Sequence, residues 1–286
     1  MNLLLLIEGC KFVNQKILIM KNFILLLCMT FIFISCKNEN KEEEAVIIPE
    51  DIEEVETDSV EINIEPISHA TAVINWGEDS FYVDPTGGAA AFEGQPEPSF
   101  ILITDIHGDH MNPETLTALE LDSVQIVAPQ AVKDKLPAEL QDNVLILNNL
   151  ATRQLKGFEI TAIPMYNLPE AADAFHPKGR GNGYVIEKDG KRLYIAGDTE
   201  DIPEMRDLQN IDMALVPMNL PYTMTVEQAA DGVLAFKPKQ VFPYHFRGGE
   251  GLADVDKFKE LVNTGNDSIE VVMLEWYPET EESQTE

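Results

Sequence analysis

Apolar positions in this chain come in short runs of four to eight residues, separated by polar and glycine-bearing turns. That spacing predicts a strand-rich domain with a few helices set into it. Strands are expected at Glu61–Ile67, Ala70–Trp76 and Ser80–Val83, with Gly77-Glu78-Asp79 as the turn between the last two. Further runs follow at Phe100–Thr104, Ser123–Ala128, Val144–Leu147, Ala151–Leu155 and Phe158–Ile163. Gly183–Glu187 and Arg192–Ala196 flank Lys188-Asp189-Gly190, a hairpin signal. Met213–Val216, Gln240–Phe242 and Ile269–Leu274 complete the strands.

Helical signals are fewer. Asn112-Pro113-Glu114 supplies an N-cap, a proline at the first helical position and an early acid, predicting a helix to about Leu121. Thr225 to Gln228 has the spacing of a capping box and opens a helix to about Phe236. Shorter helices are expected at Pro129–Leu136, Pro203–Leu208 and Val255–Asn263. Strands leading the chain, with βα units on both sides of its middle, predict two sheets with helices outside them. The expected class is α+β, a four-layer αββα sandwich.

The ends of the chain read differently. Lys21-Asn22 precedes an apolar run from Phe23 to Ile34, then Ser35 and Cys36, which is the anatomy of a secretory signal. Ile34-Ser35-Cys36 resembles a bacterial lipobox, so residues 1–36 are expected to be a signal peptide, with Met20 the more natural start. Cys36 is then the lipidation site, and the protein an exported, membrane-anchored bacterial lipoprotein. Residues 37–60 form an acidic linker, 61–278 the domain and 279–286 an acidic tail.

Without residues 1–36, and so without Glu8, Lys11, Lys16 and Lys21, the chain has 49 acidic and 17 basic residues, a net charge of −32. Such a surface excludes nucleic acid as a partner and leaves the lipid as the only contact with the membrane. No cysteine follows Cys36, so a metal would have to be held by His, Asp, Glu, Asn or water.

Histidine is scarce and clustered. Of five in the chain, two lie in Thr104-Asp105-Ile106-His107-Gly108-Asp109-His110, directly after an apolar run. Residues two apart in an extended loop can point the same way, and a turn brings the next one round, so this loop can serve two neighbouring metals. Read alone, it can equally be an exposed polar loop. A second apolar strand ends in Gly197-Asp198-Thr199, where Asp198 is either a bridging carboxylate or a turn former. A third ends in Tyr244-His245-Phe246-Arg247, where His245 is either a ligand or a core histidine.

Jointly, the order of these motifs resembles the metallo-β-lactamase superfamily, from the hairpin ending Tyr82-Val83-Asp84-Pro85 to the final His245. The opening Ser68-His69-Ala70 and the segment Ile195-Ala196-Gly197-Asp198-Thr199 are most similar to its ascorbate-6-phosphate-lactonase-like branch. The resemblance implies an αββα sandwich and a hydrolase carrying one or two divalent ions, Zn²⁺ or Mn²⁺ with Fe²⁺ as a third candidate. A hydroxide held by the metals would attack an ester, lactone or phosphoester of a small-molecule substrate. His107 would bind the first metal, and Asp109 and His110 the second. Asp198 would bridge them and His245 would complete the second site, expected to be the stronger. Asp109 is also the candidate catalytic carboxylate, and Asp84 is expected to brace the metal loop.

Two positions depart from the family pattern. Asp105 stands where the metal loop usually begins with His, and Asn167 where a further first-site His is expected. Asp105 is a competent ligand and Asn167 a weak one, which favours a harder metal in the first position. His176 is either a substrate contact or an extra ligand folding back. Lys178 and Arg180 are conspicuous cations that suit an anionic substrate group. His69 faces either the site or the backbone. A non-catalytic, single-metal-binding or sensing lipoprotein with a degenerate first site is the alternative. Trp76 and Trp276 are assigned to the core.

Overall fold

The computed structural model describes residues 60–120 and 123–277. The expected signal segment, the lipidation site Cys36, residues 37–59 of the linker and the 279–286 tail lie outside them. Two sheets make up the body. The first holds β1 (Ile62–Ser68), β2 (Thr71–Trp76), β3 (Asp79–Val83), β4 (Phe100–Leu102), β5 (Gln125–Ala128) and β6 (Val144–Ile146) in sequence order. β1 to β3 are antiparallel, and β3 to β6 are parallel. Between its strands lie a 3₁₀ turn (Ala89–Phe92), α1 (Pro113–Ala118), α2 (Gln130–Lys135) and α3 (Ala138–Gln141).

The second sheet is built from β7 (Thr152–Leu155), β8 (Phe158–Met165), β9 (Gly181–Lys188), β10 (Lys191–Ile195), β11 (Met213–Pro217) and β12 (Gln240–Tyr244). β13 (Arg247–Gly248) and β14 (Gly251–Leu252) pair as a separate ribbon, and β15 (Glu270–Val271) closes the second sheet beside β12. β7 to β10 are antiparallel; β10, β11, β12 and β15 are parallel. The connecting helices are α4 (Pro203–Arg206), α5 (Val226–Phe236) and α6 (Val255–Gly265).

Strand alternation sorts side chains onto opposite faces. In the first sheet Ala72, Ile74, Phe81, Val83, Phe100 and Leu102 belong to the core shared with the second sheet. Their neighbours Val73, Tyr82, Ile101 and Ile103 pack with Leu116 and Val132, under α1 and α2. Phe158 of the second sheet meets Trp76, Phe81 and Phe100 edge-on at centroid distances of 5.5, 5.8 and 5.3 Å. Edge-to-face packing of this kind contributes about 0.5–1.5 kcal/mol per pair beyond burial. On the far side of the second sheet Tyr194 meets Phe236 of α5 edge-on at 5.9 Å. The result is a mixed α/β arrangement of two face-to-face sheets with helices on both outer sides. Both tryptophans are buried in the core.

The capping box opening α5 is present in full: Thr225 Oγ1 accepts from Gln228 N, and Gln228 Oε1 accepts from Thr225 N. The helix α1 is shorter than expected. It stops at Ala118, and Glu120 adopts a left-handed φ of 53°. The run expected as a strand from Ile269 to Leu274 pairs only through Glu270 and Val271. The 3₁₀ turn, α3 and the β13–β14 ribbon have no periodic signal long enough to be read from sequence.

Candidate metal centre

The candidate side chains leave the sheets at one shared edge. His69 follows β1, Asp84 follows β3, and the 104–110 loop follows β4. Asn167, His176 and Arg180 lie in the long connection from β8 to β9. Asp198, Asn219 and His245 follow β10, β11 and β12, the parallel strands, at their C-terminal ends. Two links hold the edges of the sheets together here. Asn182 N donates to Thr104 O at 2.9 Å, and Tyr184 Oη donates to Ile103 O at 2.8 Å. Gly197 has φ +66°, and a Cβ there would stand 2.7 Å from Met165 Sδ, so only glycine lets β10 deliver Asp198 in this way. His69, Asp84 and His245 also hold left-handed φ values, of 56°, 46° and 47°. Such strained backbone in non-glycine residues persists where surrounding contacts enforce it, often at functional sites.

All five histidines of the chain converge at this edge. One buried group comprises His110, Asp198 and His245, whose donor atoms lie within 4.8 Å of one another. Asp109 joins it, with Oδ2 3.4 Å from both His69 Nε2 and His245 Nε2. His110 and His245 present their Nε2 atoms to each other at 3.1 Å. His110 turns Nδ1 to Asp84 Oδ2 at 2.8 Å, which fixes the ring and directs Nε2 into the group. Asp84 is in turn fixed by Thr104, whose backbone N–H and hydroxyl donate at 2.7 and 2.6 Å. The Asn219 amide lies 3.0 Å from His245 Nδ1 and is held by the Thr223 hydroxyl.

A second group comprises Asp105, His107 and His176, again within 4.8 Å. Asp105 Oδ2 is 3.0 Å from His107 Nδ1 and 4.0 Å from His176 Nε2. His176 Nε2 is 3.1 Å from Asp198 Oδ2, so Asp198 stands between the two groups. Arg180 grips Asp105 with two bonds, Nε to Oδ1 at 3.1 Å and an Nη to Oδ2 at 2.8 Å.

The electrostatics of the site set burial against close pairing of carboxyls with imidazoles. Burial would raise the Asp198 carboxyl, yet the nearby imidazoles of His245 and His110, the latter 3.3 Å away, and His176 at 3.1 Å hold it well below the usual range. Burial opposes charging of His110, but Asp198 and Asp84 hold its imidazole well above the ordinary value. Burial likewise works against the Asp109 carboxylate, and hydrogen bonds from His245 and His69 outweigh it to keep the group ionised. At His69 burial wins and lowers the pKa.

The donor set fits a divalent metal pair. Both ring nitrogens of His176 and Asp198 Oδ1 are buried without a hydrogen-bond partner in the protein. Buried polar atoms left in this state are costly unless something else binds them. Each group offers two imidazoles and carboxylate oxygen, a mixture suited to Zn²⁺, Mn²⁺ or Fe²⁺.

Other expected residues fall elsewhere. Asn167 is not in either group. Its Oδ1 accepts from His176 N at 2.7 Å and its Nδ2 donates to Tyr222 O at 2.8 Å, so it anchors the loop that delivers His176. Lys178 turns away to Glu170, Glu204 and the Tyr166 hydroxyl. Arg180 is committed to Asp105 and to Phe175 O. His69 Nδ1 bonds the Tyr277 hydroxyl at 2.7 Å. Sequence reasoning gave no role to Tyr277, Asn219 or Arg247; Arg247 sits in the segment already singled out around His245, whereas nothing local marks Tyr277. The groups open into a cleft of ≈ 250 Å³ lined by His69, His107, Asp109, His176 and Asp198, with Phe175, Asn219, Tyr222 and Arg247 around them.

Residues 63–245 match a family model described as a beta-lactamase superfamily domain. A metal-dependent hydrolase from Thermococcus onnurineus is 32% identical over 207 residues, covering 69% of this chain and 90% of the relative. A crystal structure of a proposed metal-dependent hydrolase from Parabacteroides distasonis is 36% identical with a TM-score of 0.67, covering 76% of this chain and 94% of that one. Igni18, a metallo hydrolase from Ignicoccus hospitalis, shares the fold at 22% identity and a TM-score of 0.63, over 74% of this chain and 94% of its own. With the match spanning both sheets from β1 to the last histidine, the chain belongs to the metallo-β-lactamase superfamily.

Proposed function

We propose that this chain is a metal-dependent hydrolase, close to the lactonase-like branch of its superfamily, that cleaves an ester, lactone or phosphoester of a small molecule. The observation that carries the reading is the convergence of five histidines with Asp105, Asp109 and Asp198 on one cleft. Its similarity to metal-dependent hydrolases supports it. His107, His176, Asp105 and Asp198 would hold one cation, and Asp109, His110, Asp198 and His245 the other. When bound, such cations supply Lewis acidity and lower the pKa of a coordinated water to about 7.

The protein's own groups do the rest. Asp84 and Asn219 fix the rings of His110 and His245, so the donors are aimed before substrate arrives. Asp109 is the least enclosed of the carboxylates, with its side chain 42% exposed at the cleft. It is placed to accept a hydrogen bond from an attacking water and orient it. His69, held by Tyr277, borders the same space. The case for a harder metal in the first position rested on Asp105 and Asn167. With Asn167 outside the group and His176 inside it, Asp105 alone carries that preference.

The test is a panel of 4-nitrophenyl esters, five- and six-membered lactones and bis(4-nitrophenyl) phosphate, assayed before chelation, after it, and after return of Zn²⁺ or Mn²⁺. Turnover that disappears with chelation and returns with metal is expected for at least one bond class. A fully loaded protein inert across the panel contradicts the proposal. Export and anchoring through Cys36 belong to the same proposal, on the strength of the apolar run and Ile34-Ser35-Cys36. Cys36→Ala is expected to release the domain from the membrane fraction; unchanged partition contradicts the anchor.

A further inference from the structure

The walls of the cleft carry chemistry that the metal groups do not use. Arg247 is the cation lining it. Its guanidinium lies over the Tyr277 ring, 4.3 Å from the centroid, and its backbone N–H donates to the Tyr277 hydroxyl at 3.2 Å. Contact with the ring uses none of the guanidinium N–H donors, which stay available to an oxyanion. Among the described residues none of those donors meets a carboxylate or any other acceptor. That is conspicuous in a chain with 50 acidic and 20 basic residues. It also separates Arg247 from Arg180 and Lys178, both already committed to carboxylates.

The cleft also has an apolar wall. Phe175 and Tyr222 are 51% and 39% exposed, and their rings meet edge-on at 5.2 Å. Two large aromatic side chains left half in water beside a metal-type site form a surface for an apolar body. Asp109 shares the cleft with Arg247 but is occupied by His69 and His245, so it does not neutralise the arginine.

We infer that the cleft takes a substrate with an oxyanion outside the bond to be cleaved, carboxylate or phosphate, gripped by Arg247, and an apolar body seated on Phe175 and Tyr222. The substrate class rests on the hydrolase reading; the subsite itself rests on Arg247, Tyr277 and the aromatic wall. Arginine suits this task because its fork matches two oxygens at once.

Binding to the metal-loaded protein, measured by isothermal titration calorimetry, separates the two. The probes are 4-phenylbutyrate and 4-phenylbutyramide, alike in shape and different in charge. The acid is expected to bind at least ~10-fold more tightly, the low end for one charge-assisted pair. Arg247→Met should bring the acid down to the amide's affinity and leave the amide unchanged, and Arg247→Lys should recover part of the difference. Phe175→Ala should weaken both probes by the same factor. A preference for the acid that survives Arg247→Met, equal binding of both probes to the unmodified protein, or no binding of either overturns the inference. If the preference depends on Arg247 while the ester, lactone and phosphodiester panel stays inert, the hydrolase reading fails and the oxyanion subsite stands.

Discussion

The two halves of the centre are built from the same residue types but in different ways. The group around His110 and His245 is buried, and each ring is braced by a buried partner of its own, Asp84 or Asn219. The group around His107 and His176 is looser. His107 is partly exposed, Asp105 is shared with Arg180, and His176 arrives on a long loop pinned by Asn167. Strand ends deliver Asp198 and His245 to the first, and a loop closing over the edge delivers His176 to the second. The difference teaches where affinity resides: the braced group should be the tight one, and the loop-borne group the adjustable one.

Asp198 is the residue the halves share, and its removal should be the most damaging. Asp198→Ala is expected to strip both metals and abolish turnover, read as metal per chain after dialysis. Retention of either metal at wild-type occupancy would break the bridging role. Removing one ligand of the braced group comes next. His110→Ala or His245→Ala should cost more than the ~10–100-fold typical of orienting partners. If both variants keep wild-type metal, the assignment of this group is wrong.

The braces themselves should act within that ~10–100-fold range. Asp84→Asn and Asn219→Ala are expected to weaken the tight metal, whereas Asn167→Ala should weaken only the looser one. Competition with a chromogenic chelator resolves the two affinities, and equal effects on both would erase the contrast. Arg180→Met should have a smaller effect, confined to the looser metal, because Asp105 keeps its bond to His107. Lys178→Met should change neither metal content nor turnover, since Lys178 points to Glu170 and Glu204. A measurable loss there would mean that the loop carrying His176 depends on that pairing.

This contrast also explains what the sequence could show. The braced group draws two ligands, Asp198 and His245, from motifs that follow an apolar strand within three residues, while His110 shares the loop after β4 with Asp105 and His107. For Asp198 and His245 the strand end fixes where the side chain goes. His176 sits 9 residues beyond Asn167 in a loop with no period. Only the fold back onto Asp105 and Asp198 reveals its place. The pairings of Lys178 and Arg180 were hidden for the same reason: conspicuous charge in a loop does not say which carboxylate will claim it. Arg247 was passed over because its meaning depends on Tyr277, 30 residues further along the chain. The strands were legible from short apolar runs bounded by turns, while the two-residue pairings and the short helices carry too few residues for any pattern to register.

The most direct test of the two-group account is metal stoichiometry, by inductively coupled plasma mass spectrometry, for the unmodified protein and His176→Ala. The account predicts two divalent ions per chain in the former and one in the latter, with the remaining ion located by anomalous scattering between Asp109, His110, Asp198 and His245. Two ions retained in His176→Ala, or a single ion in the unmodified protein that His176→Ala leaves in place, would contradict it.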